Sequence, residues 1–349
     1  MLPASKSRAS EPPPLDPRAR SDARRLVNIP ILDVGPNFPM ETLQRELDRA
    51  HRLLDDATHI VPRQALASLD RISRRWLARW ENAHLPEIDE IARVLARPGA
   101  YFLSVNYEWG CTCRVAPAPD GGSARLVRVL DWRTEGLGRN ILAARVAGRS
   151  GPFITLTWPG YTGVLQAVAP GRFAGALNQA PMRKAMGYYY LDWVANRKRV
   201  WTMPHGTPAH LLRSVFERAE NFQQAKDMLI TTPVSSPAIF SLAGTEAHET
   251  CVIERRETDA RVHTGPQVAA NHWQAFGWTG HARGNDSGGR ACQMAHVSTA
   301  LDPALPWLGE PILNPTTRLV MIADAKSGRF LAQGFEADGA ATLVLEATA

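Results

Sequence analysis

Between residues 43 and 95, apolar side chains recur every three or four positions. Leu43, Leu47, Ala50 and Leu54 share one helical face, Leu66, Leu69, Ile72, Trp76 and Trp80 a second, and Ile88, Ile91 and Leu95 a third. Ahead of them, residues 26–34 are rich in β-branched side chains and contain a proline, which suits an edge strand. From Cys111 onward the pattern changes to short apolar runs broken by glycine and proline. Residues 111–117 and 124–132 flank Pro119-Asp-Gly-Gly122, a good hairpin turn, and further strands are predicted at 141–147, 152–158, 163–168 and 173–177. Helical spacing returns at 188–196, 208–219 and 222–229, with Asn221 placed to cap the last. A second strand group follows at 238–243, 250–255, 261–264 and 267–270, then a helix around 289–300 and strands at 318–324 and 330–335. Strands and helices in blocks, without strict alternation, predict a layered α+β fold. No internal repeat, phosphate loop or glycine-rich dinucleotide fingerprint is evident.

Composition narrows the class. The chain has 349 residues, 44% of them hydrophobic, enough for a sizeable core. Its formal charge of +6 comes from 40 basic against 34 acidic residues, an excess too small and scattered to demand nucleic acid. Residues 1–25, rich in Pro, Ser and Arg, read as a disordered basic arm, open to contact with an anionic membrane surface. The start lacks the apolar core of a secretory signal and no stretch is apolar enough to span a bilayer, so a cytoplasmic protein is expected. The four cysteines, 111, 113, 251 and 292, fit neither a disulfide scaffold nor a zinc ribbon.

A cysteine in a β-rich region is more often a small buried apolar residue than a nucleophile. The surroundings of Cys111 change that balance. The strings Cys111-Thr-Cys-Arg-Val-Ala, Arg128-Val-Leu-Asp131-Trp132, Gly160-Tyr-Thr-Gly163 and Pro170-Gly-Arg-Phe-Ala-Gly-Ala-Leu-Asn178 resemble the acid ceramidase and N-acylethanolamine-hydrolysing acid amidase family, relatives of the choloylglycine hydrolases among the N-terminal-nucleophile enzymes. The likeness extends to Asn28-Ile-Pro-Ile-Leu-Asp33, Asn106-Tyr-Glu108, Cys251-Val-Ile, Val268-Ala-Ala-Asn271-His-Trp273 and Asn285-Asp-Ser-Gly-Gly-Arg290, in the family's order across residues 26–335.

The resemblance implies a four-layer αββα sandwich and activation by cutting the Gly110–Cys111 bond. Residues 26–110 would form a mainly helical pro segment and 111–349 the catalytic part. With no cysteine before 111, the two pieces would be held by packing alone. Cys111 would then carry both a thiol nucleophile and the α-amine that serves as its base. Arg128 is expected beside the sulfur to favour thiolate, Asp131 to orient the amine, Asn271 and Asn178 to donate to the developing oxyanion, and Arg290 to support the site. Strand alternation puts Cys113 on the same face as Cys111, as a packing residue or a competing thiol. Phe153, Trp158, Tyr161 and Trp273, with the aromatic helices before 110, are candidates for an acyl pocket. The implied reaction is hydrolysis of a linear fatty-acyl amide, a small-molecule or lipid substrate, with no metal or organic cofactor required. Rival readings are acyl transfer to an amine and a non-catalytic binding protein that kept the fold. The chain departs from the family at Gln179, where a Glu is usual, at Gly110, and at Thr112-Cys113, where Thr-Ser is usual.

Overall fold

A computed structural model describes residues 26–59, 62–105 and 109–349. The basic arm at 1–25 and the Asn106-Tyr-Glu108 motif lie outside the described residues.

Two β-sheets stack face to face. The first has eight strands in the order β1-β4-β5-β6-β7-β8-β9-β10, and the second has seven, β11-β2-β3-β12-β13-β14 with β15 added beside β13. In the first sheet, β1 (Ile31–Gly35) lies at one edge, parallel to β4 (Leu142–Gly148). Then come β5 (Gly151–Thr157), β6 (Gln166–Ala169), β7 (Phe173–Gln179), β8 (Ala238–Ala243), β9 (Thr250–Arg255) and β10 (Ala260–Thr264). The second sheet is built on the hairpin of β2 (Trp109–Pro117) and β3 (Ala124–Trp132), with β11 (Gln267–Ala269), β12 (Thr317–Asp324), β13 (Arg329–Glu336), β14 (Gly339–Ala340) and β15 (Leu345–Thr348). The last two strands are too short or too weakly alternating to be read from the sequence.

The helices cover the outer faces. Naming them in chain order, α1 (Met40–Arg45), α2 (Leu47–Thr58), α3 (Arg63–Arg79), α4 (Leu85–Leu95) and α5 (Ala100–Ser104) precede the hairpin. Helix α6 (Tyr189–Thr202) borders a cleft described below. Helices α7 (Pro208–Arg218) and α8 (Phe222–Thr231) pack on the eight-stranded sheet, where Phe216 meets Phe153 and Phe173 with ring centroids 5.4 and 4.8 Å apart. Asn221 caps α8 as expected, accepting the Gln224 N–H at 2.9 Å. Helix α9 (Ser287–Met294) packs on β2 and β11 of the other sheet. It stops six residues short of the predicted end. Beyond it Val297, Leu305 and Ile312 cover Val127, Val129 and Val320 without helical regularity, and side-chain spacing alone does not separate that from a helix. The layer order is therefore αββα, the sandwich that the resemblance implies.

Both faces of β2 are buried because a layer lies on each side. Cys111, Cys113 and Val115 point into the core between the sheets, whereas Thr112 and Arg114 point toward α9. No helix among the described residues is long and apolar enough to cross a membrane.

Candidate active site

The hairpin register pairs Cys113 with Arg128, Cys111 with Leu130 and Gly110 with Asp131. Arg128 thus projects between the sheets on the same face as both cysteines. Its Nη2 lies 3.1 Å from Cys111 Sγ and its Nη1 3.3 Å from Cys113 Sγ, so one guanidinium touches both thiols. It is fully buried and held by Gln166, whose Oε1 accepts its Nε–H at 2.9 Å, and by Asn178, whose Oδ1 accepts its Nη1–H at 2.6 Å.

Asp131 lies three residues along the same strand. Because strand side chains alternate, it faces the other way, toward α9. Arg128 and Asp131 therefore approach Cys111 from opposite faces of the strand. Asp131 stands opposite Gly110, accepts a hydrogen bond from Thr317 Oγ1 at 2.9 Å, and pairs with Arg290 at 3.2 Å. Burial raises its pKa above the usual carboxylate range, against the lowering pull of Arg290.

Arg290, from α9, is fully buried and ties the region around Cys111 together. Its Nη1 donates to the Cys111 carbonyl at 2.8 Å and to Thr112 Oγ1 at 2.6 Å, and its Nη2 to Asn271 Oδ1 at 3.0 Å. Asn271 lies just beyond β11. Ala269 pairs with Cys113, so extending the antiparallel register by two residues brings Asn271 opposite Cys111, where its side chain replaces the strand. Its Oδ1 accepts the Cys111 N–H at 2.7 Å and its Nδ2 donates to the Gln179 carbonyl at 2.7 Å. Asn271 is therefore a holder of the Cys111 nitrogen, the contact expected of Asp131, and its Nδ2 is directed at the Gln179 carbonyl. Asn178 likewise spends its Nδ2 on the carbonyls of Ala269 and Ala270, at 3.1 and 3.2 Å.

Two participants were not anticipated: Gln166 holds Arg128 and Thr317 holds Asp131. The Gln179 side chain accepts the Trp109 N–H at 3.0 Å, two residues before Cys111. The signal available was a glutamine inside a strand whose neighbours are all buried, which demands a partner.

Cys111 Sγ is fully buried, 3.8 Å from the Leu177 carbonyl. Burial pushes the thiol up to about 12, outweighing the opposite pull of Arg128. Cys113 and Cys251 are buried with raised pKa values as well, whereas Cys292 is exposed. The guanidinium contact thus does not offset the burial of the thiol. Iodoacetamide should therefore label Cys292 first in molecules of full-length mass. Labelling of Cys111 in those molecules at the rate of Cys292 would refute the buried, protonated state.

Leu177 and Asn178 also line a cleft of about 450 Å³, together with Trp109 and with side chains of α3 and α6. Trp76, Trp193 and Trp201 supply its aromatic walls. The four aromatic residues proposed from composition lie elsewhere. Phe153 packs against α7, Trp158 and Tyr161 border a separate small cavity of about 80 Å³, and Trp273 lines a neighbouring pocket.

No family model matches the chain. It is 31% identical over 109 residues to the acid ceramidase of Heterocephalus glaber, 31% of this chain and 26% of that protein. It is 31% identical over 103 residues to the human acid ceramidase, 30% of this chain and 25% of that protein. The matched stretch thus spans about a quarter of the length of these relatives. Among solved structures, a Caenorhabditis elegans N-acylethanolamine-hydrolyzing acid amidase ortholog superposes with a TM-score of 0.44 at 21% identity, over 68% of this chain and 100% of that one. Across about a third of its length, this chain has the acid ceramidases as its homologues.

Proposed function

We propose that the chain is a hydrolase of fatty-acyl amides whose nucleophile is Cys111, made N-terminal by a cut at Gly110–Cys111. The observation that carries this reading is the pairing at one residue of a sulfur against the Arg128 guanidinium and a nitrogen held by Asn271, beside an apolar cleft. Relatives called acid ceramidase fit a lipid amide as substrate.

In the processed enzyme the Cys111 α-amine takes the thiol proton, and the sulfur attacks the substrate carbonyl. Arg128 favours the thiolate, and Arg290 and Asn271 fix the position of the residue that carries it. The tetrahedral intermediate collapses, the substrate nitrogen leaves with the proton, and the acyl group stays on sulfur as a thioester. Water, deprotonated by the same amine, releases the fatty acid. Asp131 acts through Arg290 as a positioning residue.

Contacts across the cut support two pieces that remain together. Strand β1 is part of the eight-stranded sheet, Arg213 bonds Glu87 at 2.6 Å, and the indole N–H groups of Trp76 and Trp80 donate to the carbonyls of Val200 and Trp201 at 3.2 and 3.0 Å. At the start of α6, Tyr188 and Tyr190 are 72% and 83% exposed, suiting contact with a lipid surface.

Processed protein is expected to release free fatty acid from long-chain N-acyl amides, faster when they are presented in vesicles than as monomers. If processed protein releases no acid but transfers the acyl group to added hydroxylamine, it is an acyltransferase. If it does neither, the catalytic reading fails.

A further inference from the structure

One turn of α9 holds Asn271 at two points. Ser287 and Arg290 are three residues apart and so lie on the same face of the helix. Ser287 Oγ accepts the Asn271 main-chain N–H at 2.8 Å. Arg290 Nη2 donates to Asn271 Oδ1 at 3.0 Å, the same oxygen that accepts the Cys111 N–H at 2.7 Å. The turn itself is fixed by Asp286, whose backbone takes the left-handed conformation at φ 35° and whose carboxylate accepts the Gly289 N–H at 3.0 Å. A third contact closes on the Asn271 carbonyl, from the main-chain N–H of Arg283 at 3.1 Å.

Ser287 is in turn held by His272, whose Nδ1 lies 2.8 Å from its Oγ. The serine is buried and the imidazole half-buried. A hydroxyl has two lone pairs and one hydrogen to give. One lone pair takes the Asn271 N–H, and the hydrogen goes to Nδ1 when His272 is neutral with its own proton on Nε2. Burial lowers the His272 pKa; Glu254 opposes that shift and Arg290 adds to it. The main chain beyond His272 is fixed as well. The buried Glu254 carboxylate, on β9, accepts the N–H groups of Gln274 and Ala275 at 2.6 and 2.7 Å and stands 3.2 Å from His263. A serine hydroxyl alone can occupy three staggered positions, and the bond to His272 selects the one that faces Asn271. His272 does not line the cleft beside Cys111.

We infer that His272 is a positioning residue: it accepts the Ser287 hydroxyl hydrogen, directs Ser287 Oγ at the Asn271 N–H, and so keeps Asn271 on the Cys111 nitrogen. Protonated His272 cannot accept that hydrogen, and its charge opposes that of Arg290. Asn271 therefore loses part of its hold as pH falls through the His272 pKa. The inference deepens the proposed hydrolase reading and rests on it for the effect on turnover, whereas the coupling of His272 to Asn271 stands apart from any reaction.

The coupling is read first by NMR of Cys111→Ala protein, which leaves the His272 and Ser287 side chains unaltered. At neutral pH the His272 proton is expected on Nε2, with a titration midpoint below the usual imidazole value, and the Asn271 amide signals should shift with the same midpoint. Adding Ser287→Ala should stop the Asn271 signals from following His272. Turnover of N-decanoylethanolamine by processed protein is read second. His272→Ala should lower kcat at neutral pH by about 10- to 100-fold with KM unmoved, as for a misplaced group outside the cleft. His272→Asn, whose carbonyl oxygen can accept the Ser287 hydrogen but does not titrate, should recover most of that loss and remove the fall in kcat that follows His272 protonation. A proton on Nδ1 at neutral pH, Asn271 signals that ignore the His272 titration, or a His272→Ala loss that falls on KM overturns the inference. Processed wild type that releases no fatty acid defeats the hydrolase reading instead, and the NMR titration still decides whether His272 positions Asn271.

Discussion

Purified Cys111→Ala protein should have the mass of one intact 349-residue chain, whereas wild type resolves into pieces 1–110 and 111–349 that co-elute. The same substitution should abolish amide hydrolysis, a drop of at least about 1,000-fold. Both outcomes follow from one atom. In the uncut chain the Cys111 nitrogen is an amide and cannot act as a base, and burial holds its thiol protonated with a pKa of about 12. Attack of that sulfur on the Gly110 carbonyl transfers the acyl bond from nitrogen to sulfur, freeing the α-amine. Hydrolysis of the thioester then separates the pieces. Gly110 suits this step. A Cβ there would come within 3.3 Å of both Asp131 Cβ and Gly284 Cα, crowding the bond to be cut. A wild-type chain that stays uncut through purification and prolonged incubation, or a Cys111→Ala chain cut before residue 111, would sink the proposal.

The periodicities were enough to place the hairpin of β2 and β3, the main strands of both sheets and the N-terminal helices, although the first helical run breaks at Glu46 into α1 and α2 and Ile72 of the second run is exposed. Residues singled out from separate local motifs do meet, since Arg128, Asn178, Asn271 and Arg290 form one hydrogen-bonded cluster with Cys111 and Cys113. Their hydrogen-bond partners were less legible. Arg128 and Asp131 are three apart on one strand, and the alternation of a strand was itself sufficient to put them on opposite faces. The role given to Asn271 depended on where β11 ends relative to β2, a register fixed by long-range pairing. Of the residues proposed for a pocket, the aromatic N-terminal helices do line the cleft, through Trp76, whereas the four later aromatics do not, for a related reason. Phe153, Trp158 and Tyr161 look like pocket residues by composition, yet sheet and helix layers close over them, and the cleft forms where α3 meets α6, elements more than a hundred residues apart. Composition records what can line a cavity, and topology decides what does.

Replacing Arg290 by methionine should destabilise the uncut protein by about 3–5 kcal/mol at neutral pH, since it removes one partner of a buried ion pair. The change strips donors from the Cys111 carbonyl, Thr112 Oγ1 and Asn271 Oδ1 together, and removes the ion-pair partner of Asp131, which keeps only the neutral side chains of Thr317 and Asn314 in hydrogen-bond contact. Its pH dependence separates the charge effect from lost packing. The pKa of Asp131 is raised in the folded state by burial even with Arg290 beside it, and should rise further in Arg290→Met. A carboxyl with a raised folded pKa binds its proton more tightly when folded. Its contribution to stability is fully present below the ordinary carboxylate value of about 3.9 and is lost as pH rises through the folded pKa. The gap between variant and wild type should therefore be widest at neutral pH and narrow on acidification through the folded pKa of Asp131. Adding Asp131→Asn to Arg290→Met should recover part of the loss at neutral pH by removing the uncompensated charge. Urea midpoints measured across that range decide the matter. A gap independent of pH, together with no recovery in the double variant, would mean that Arg290 acts by packing and not by neutralising Asp131.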